Sequence, residues 1–177
     1  MAVDLRKNHY ELFGLPVSFR IDGAALDKAY RDVQAQVHPD RFAHLSDLEK
    51  RLSMQWATQV NEAYRVLRSP LSRACYLLEL QGIDPALESN TAMSPEFLMD
   101  QMAWREAVAD ARDSAQVAEL EALQRRIRGE GKGLEADLED ALDGRHALDD
   151  ARDLVRRMMF LTKLQHDIDN ALEALES

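Results

Sequence analysis

Apolar side chains recur at helical spacing along most of the chain. Leu26, Tyr30, Val33 and Val37 make one apolar face, while Lys28, Arg31 and Ala35 lie roughly 140–200° round the wheel from Leu26. Asp22 stands where an N-cap carboxylate accepts an orphan backbone N–H, and Pro39 ends the pattern by disfavouring helical torsions at His38. A second pattern, Leu52, Trp56, Val60, Ala63, Tyr64 and Leu67, begins after Ser46 or Asp47 and stops before Pro70. Together they predict two antiparallel helices joined by a loop that starts at His38. Ahead of them, Tyr10, Leu12, Phe13 and Leu15 predict a short helical turn that covers the open side of the pair.

Further along, Ser94-Pro95-Glu96 supplies an N-cap with Pro at the first helical position, and the helix it opens runs to about Arg112. Another pattern runs from Ala115 through Leu120, Leu123 and Ile127, and a last one includes Leu154, Met158, Leu161, Ile168, Leu172 and Leu175. Three helices predict a bundle. Between the second pattern and the last sit Gly129, Gly131 and Gly133, each costing on the order of 1 kcal/mol relative to Ala in a helix interior, which predicts a kink or a loop there, a hinge or linker. The glycines do not make a phosphate loop, because Arg126 and Gly133 occupy the places where that motif needs Gly and Ser or Thr. Punctuation at Gly82 and Pro85 divides the chain into residues 1–81, a connector over 82–94 that includes Ser89-Asn90-Thr91, and residues 95–177. The expected class is all-α.

Charge sharpens that division. The 177 residues carry 22 Lys and Arg against 32 Asp and Glu, a net charge of −10. Through Leu78 there are 11 basic and 9 acidic side chains, and from Glu79 onward 11 and 23. Neither half offers the concentrated basic surface that nucleic acid demands. The longest apolar run, Ala74 to Leu78, is far short of the roughly 20 residues a membrane-spanning helix needs. Met1 to Tyr10 has no apolar stretch of a secretory leader, so a cytoplasmic protein is expected. The single Cys75 closes no internal disulfide and builds no multi-cysteine metal site, so neither a cofactor nor a resident metal is expected.

Candidate chemistry sits at the tip of the helical pair, in His38-Pro39-Asp40. Pro39 fixes one torsion, Asp40 has the side chain for an Asx-type turn, and His38 is then presented with little freedom to lose. An acid–base pair of His38 and Asp40, or a metal site with His44, lacks a nucleophile, an orienting third group and firm ligand spacing, so an enzyme is not expected.

Three segments, Asn8 to Leu15, Gln36 to Phe42 and Gln59 to Leu67, resemble a J domain of the DnaJ type in order and spacing. The resemblance implies that His38, Pro39 and Asp40 contact a DnaK-type chaperone and stimulate its ATP hydrolysis, with Lys28, Arg31 and Arg41 meeting an acidic patch. Pro70 to Leu78, Phe97 to Met102 with Arg105-Glu106, and Phe160 to Leu164 extend the resemblance to the HscB family, J-type co-chaperones of iron–sulfur cluster assembly. It implies a J domain over 1–81 and a three-helix bundle over 95–177 that binds the scaffold protein IscU and presents it to the chaperone HscA. The scaffold-binding role falls on Leu98, Met99, Met102 and Phe160, with Glu106 and Asp110 as acidic companions. Ala103 departs from the family pattern, which has an acidic residue there. A general J-domain protein whose bundle binds a different client is the alternative.

The residues bear on this independently. With Phe97 at the origin, Trp104 and Val108 fall within about 20°, whereas Leu98, Met102, Glu106 and Met99 fall at roughly 100–200°. Such a helix is apolar on two sides: one stripe can pack inside the bundle, and the other must either widen that packing or bind something. Burying four large apolar side chains yields a gross of about 6–12 kcal/mol, less several kcal/mol for association, which predicts a weak and releasable complex.

Overall fold

The computed structural model describes residue 4, residues 6–85 and residues 93–177. Helices dominate, and among the described residues there is no strand. By packing, the chain separates into two compact units, Met1–Ile83 and Asp84–Ser177. The connector residues Ser89, Asn90 and Thr91 lie outside the described residues.

Among its described residues the first unit holds four α-helices: α1 (His9–Leu12), α2 (Gly23–Val37), α3 (Asp47–Arg68) and α4 (Pro70–Leu80). Asp22 caps α2 by accepting the backbone N–H groups of Ala24 and Ala25. Ser46 and Glu49 form a reciprocal capping box at the start of α3, and Asn8 and Glu11 form another at α1. Tyr10, Leu26, Val37, Val60, Ala63, Leu67 and Leu78 are fully buried between these elements. The Tyr10 hydroxyl is satisfied by donating to the Ser18 carbonyl at 2.7 Å.

Periodicity alone does not mark α4 as a separate helix, because its run Ala74 to Leu78 is apolar without a clear repeat. Two side chains hold the corner at which it begins. Buried Arg73 donates from Nη1 to the Leu67 carbonyl at 2.8 Å, and Ser72 Oγ donates to the Val66 carbonyl at 2.6 Å. Carbonyls in the last turn of α3 thereby gain donors that the helix itself cannot provide.

The second unit packs α5 (Pro95–Asp113), α6 (Val117–Glu139) and α7 (Leu148–Glu176) into the bundle that the pattern predicts. Ser94 Oγ accepts the Phe97 N–H at 3.2 Å and caps α5. Trp104, Val108, Leu120, Leu123, Ile127, Leu161, Leu164 and Ile168 make up the core. Between α6 and α7 the amides of Gln124 and Gln165 both donate to Asp169 Oδ1, at 2.7 and 2.8 Å.

The kink or loop expected at Gly129, Gly131 and Gly133 is corrected: α6 continues unbroken through all three. Its pairing with α7 is the most extensive among the described elements, with Leu123 and Ile127 buried on one side of the glycines and Leu138 on the other. Tertiary burial outweighs the local propensity cost. The chain departs from α geometry only after Glu139, in a π-helical turn over Asp140–Gly144 that buries Ala141 and Leu142. Arg145 clasps this turn to α7, donating to Asp140 at 2.7 Å and to Asp150 at 3.0 Å.

Candidate functional site

At the tip of the α2–α3 pair the backbone leaves the helix at His38, with φ −58° and ψ 131°. Pro39 then opens a 3₁₀ turn, Pro39–Phe42, as its missing N–H and fixed torsion permit. Val37, immediately before, is fully buried and pins the corner to the core. Phe42 anchors the other side, edge-on to Trp56 at 6.2 Å.

Asp40 does not cap this corner through an Asx turn. Its backbone N–H instead donates to His38 Nδ1 at 3.2 Å, because the tight turn points that N–H back along the chain. The Asp40 carboxylate stays in solvent, with Oδ2 3.5 Å from the same nitrogen. With Nδ1 accepting, the neutral imidazole carries its hydrogen on Nε2 and presents it as a donor. The His38 side chain is 52% exposed.

Lys28, Arg31 and Arg41 are exposed, but only Arg31 extends the simple basic face expected of α2. Lys28 Nζ donates to Asp32 Oδ2 at 3.1 Å, four residues along the same helix. Arg41 folds back and donates from Nη1 to the Ala35 carbonyl at 3.3 Å, where it takes up an orphan acceptor at the end of α2. Sequence spacing also missed a clasp that sets the helices side by side. Tyr30 on α2 donates to Asn61 on α3, Tyr64 on α3 donates to Asp27 on α2, each at 2.7 Å, and the two rings stack 4.1 Å apart.

On α5 the two apolar sides separate cleanly. Phe97, Trp104 and Val108 are buried, whereas Leu98, Met99 and Met102 are 46%, 70% and 72% exposed. Glu106 and Asp110 are exposed and continue the same stripe toward the C-terminal end of α5. Phe160, the fourth apolar residue that the resemblance implies, lies partly within its own bundle. It is half-buried, edge-on to Phe97 at 6.0 Å, and its ring lies 5.5 Å from the Arg105 guanidinium. Arg157 covers Phe97 in the same way at 5.1 Å. The apolar patch is thus edged by two guanidiniums as well as by carboxylates.

Cys75 is half-buried on α4, and burial together with the nearby Glu79 charge pushes its thiol pKa up, so it is a poor nucleophile. Among the described residues, no three His, Cys, Asp or Glu side chains gather as metal ligands. No helix in the described residues is long and apolar enough to cross a membrane.

Comparison with known proteins covers both units. A family model described as the HSCB C-terminal oligomerisation domain matches residues 93–169. The co-chaperone protein HscB homolog of Azoarcus sp. strain BH72 is 59% identical over 177 residues, the whole of both chains. That of Aromatoleum aromaticum is 56% identical over the same span. Among solved structures, the chaperone HscB of Vibrio cholerae is 35% identical with a TM-score of 0.83, covering 96% of this chain and 99% of its own. Human co-chaperone protein HscB is 29% identical with a TM-score of 0.89, covering 96% of this chain and 84% of its own.

Proposed function

The chain belongs to the HscB family of co-chaperones, and from that premise we propose that it couples an iron–sulfur scaffold protein of the IscU type to an ATP-hydrolysing chaperone of the HscA or DnaK type. In this reading residues 1–81 act as the J domain. His38, Pro39 and Asp40 engage the chaperone and stimulate ATP hydrolysis, with Lys28, Arg31 and Arg41 beside them. The bundle over 95–177 holds the scaffold through Leu98, Met99, Met102 and Phe160, with Glu106 and Asp110 as polar companions. The protein makes and breaks no bonds itself, needs no cofactor and works in the cytoplasm, and assisted cluster transfer and protein maturation result from the chaperone's cycle.

The observation that carries this reading is the pairing of two unspent surfaces on separate units. One is a rigid corner whose imidazole offers Nε2 to solvent, and the other is an exposed Leu98, Met99 and Met102 patch. Soluble domains rarely leave three large apolar side chains together in water without a partner for them. Because Phe160 is already half-buried by its own bundle, the apolar gain on binding falls toward the lower end of the range for four free side chains. That favours a releasable complex.

An ATPase titration tests both halves together. The protein added to an HscA-type chaperone is expected to raise turnover, and addition of the IscU-type scaffold to raise it synergistically. Stimulation without synergy, and without saturable scaffold binding, would mean a general J-domain protein with another client. No stimulation at all would remove the J-domain role.

A further inference from the structure

The docking face of α2 has mixed sign. With Lys28 as origin and about 100° per residue, Arg31, Asp32 and Ala35 all fall within about 60° of it. All four are exposed, and Asp32 forms one margin of the face, next to Lys28 and on the side away from Arg31. Its carboxylate accepts from Lys28 Nζ at 3.1 Å.

As a device for stabilising the helix, this pair is poorly built. The base precedes the acid, which is the weaker orientation for an i, i+4 pair. Asp is a weak helix former in an interior, and here it lies in the C-terminal half of α2, where the helix dipole favours cations. The other acid on the exposed side, Asp27, has a structural task, since it accepts the Tyr64 hydroxyl at 2.7 Å. Asp32 has no such task beyond Lys28, and its side chain remains 60% exposed.

We infer that Asp32 is a specificity-determining residue of this face, reading a basic side chain on the chaperone while Lys28 and Arg31 meet acidic ones. The inference rests on the J-domain role proposed above and names the chemistry of the partner surface: acidic, with one cation opposite Asp32. A chaperone with that cation gains a charge-assisted hydrogen bond. One with a uniformly acidic patch meets Asp32 as a like charge, so the pattern sorts among chaperones of one class.

Two variants of the full chain, titrated against an HscA-type chaperone with ATP turnover as readout, test this. Asp32→Asn is expected to raise the half-saturating concentration about fivefold at low salt, with the difference shrinking as ionic strength rises and maximal turnover moving less than about twofold. Exchanging the charges, Lys28→Asp with Asp32→Lys, keeps an intrahelical pair, in the better orientation, and the same net charge. Its unfolding midpoint is expected at or above that of the parent, while its half-saturating concentration rises about tenfold or more. If Asp32→Asn leaves that concentration unchanged or lowers it, or the exchanged variant docks like the parent, the inference is overturned and the J-domain role stands. If the unaltered protein gives no stimulation, both are overturned.

Discussion

His9 links one ring to the pH response of its unit. Its imidazole stacks on Tyr76 at 4.2 Å, and its backbone N–H donates to the Tyr76 hydroxyl at 3.0 Å. Burial holds the imidazole pKa below its ordinary 6.5, with the Glu62 charge pulling weakly the other way. The folded form therefore binds fewer protons than the unfolded chain just below that value. Stability is complete above pH 6.5 and declines as pH falls through the depressed folded pKa. His9→Phe keeps the stack and the backbone bond but removes the titration. In urea unfolding between about pH 6.5 and pH 5, the parent is expected to lose stability relative to this variant. An equal slope for both would show that the ring does not carry the effect. At this scale the sequence pointed to candidate side chains but not to how their atoms are used. His38 was legible from Pro39 and Asp40 beside it, whereas the use of Nδ1 for the Asp40 N–H depends on how the 3₁₀ turn aims that group.

The middle helix of the bundle shows propensity and packing opposed. Gly129, Gly131 and Gly133 lie in regular α geometry, and a Cβ added at any of them meets nothing within 4 Å. Replacing each by Ala is expected to stabilise the bundle by about 0.5–1 kcal/mol, chiefly by restricting the unfolded chain. Raised denaturation midpoints for the single variants, adding in the triple variant, would check it; a loss of stability would reveal a bend or contact that these glycines serve. The sequence announced helix starts well, since Asp22, Ser46 and Ser94 cap where their spacing places them. It announced the glycine stretch badly because the decisive contacts come from α7, far along the chain. The π-helical turn after Glu139 likewise has no local signature, being held by Arg145 between Asp140 and Asp150.

Over the whole molecule, two surfaces on separate units should fail independently. His38→Gln leaves an exposed position exposed, so the fold is expected to persist, chaperone stimulation to vanish and scaffold affinity to stay at the parent value. Leu98→Ala with Met102→Ala is expected to weaken scaffold binding tenfold or more, by roughly 1.5 kcal/mol or more of lost apolar burial, and to leave scaffold-free stimulation intact. Calorimetry for the scaffold and ATP turnover for the chaperone separate the two outcomes; loss of both activities in either variant would contradict the division. Truncating Phe160 is a less clean probe, because its ring also packs on Phe97 inside the bundle. The change in charge, Gly82 and Pro85 all lie near the point after Ile83 where the two compact units part. How far Phe160 is covered has no such local signal, because Phe97 and Arg105, which flank its ring, come from another helix.

The thioethers of Met99 and Met102 belong to the most solvent-accessible large apolar side chains among the described residues. Peroxide reaches such sulfurs first, and each sulfoxide turns a greasy contact into a polar one until a reductase reverses it. In the scaffold-holding role proposed above, peroxide treatment is expected to weaken scaffold affinity and sulfoxide reduction to restore it, which calorimetry before and after each treatment checks.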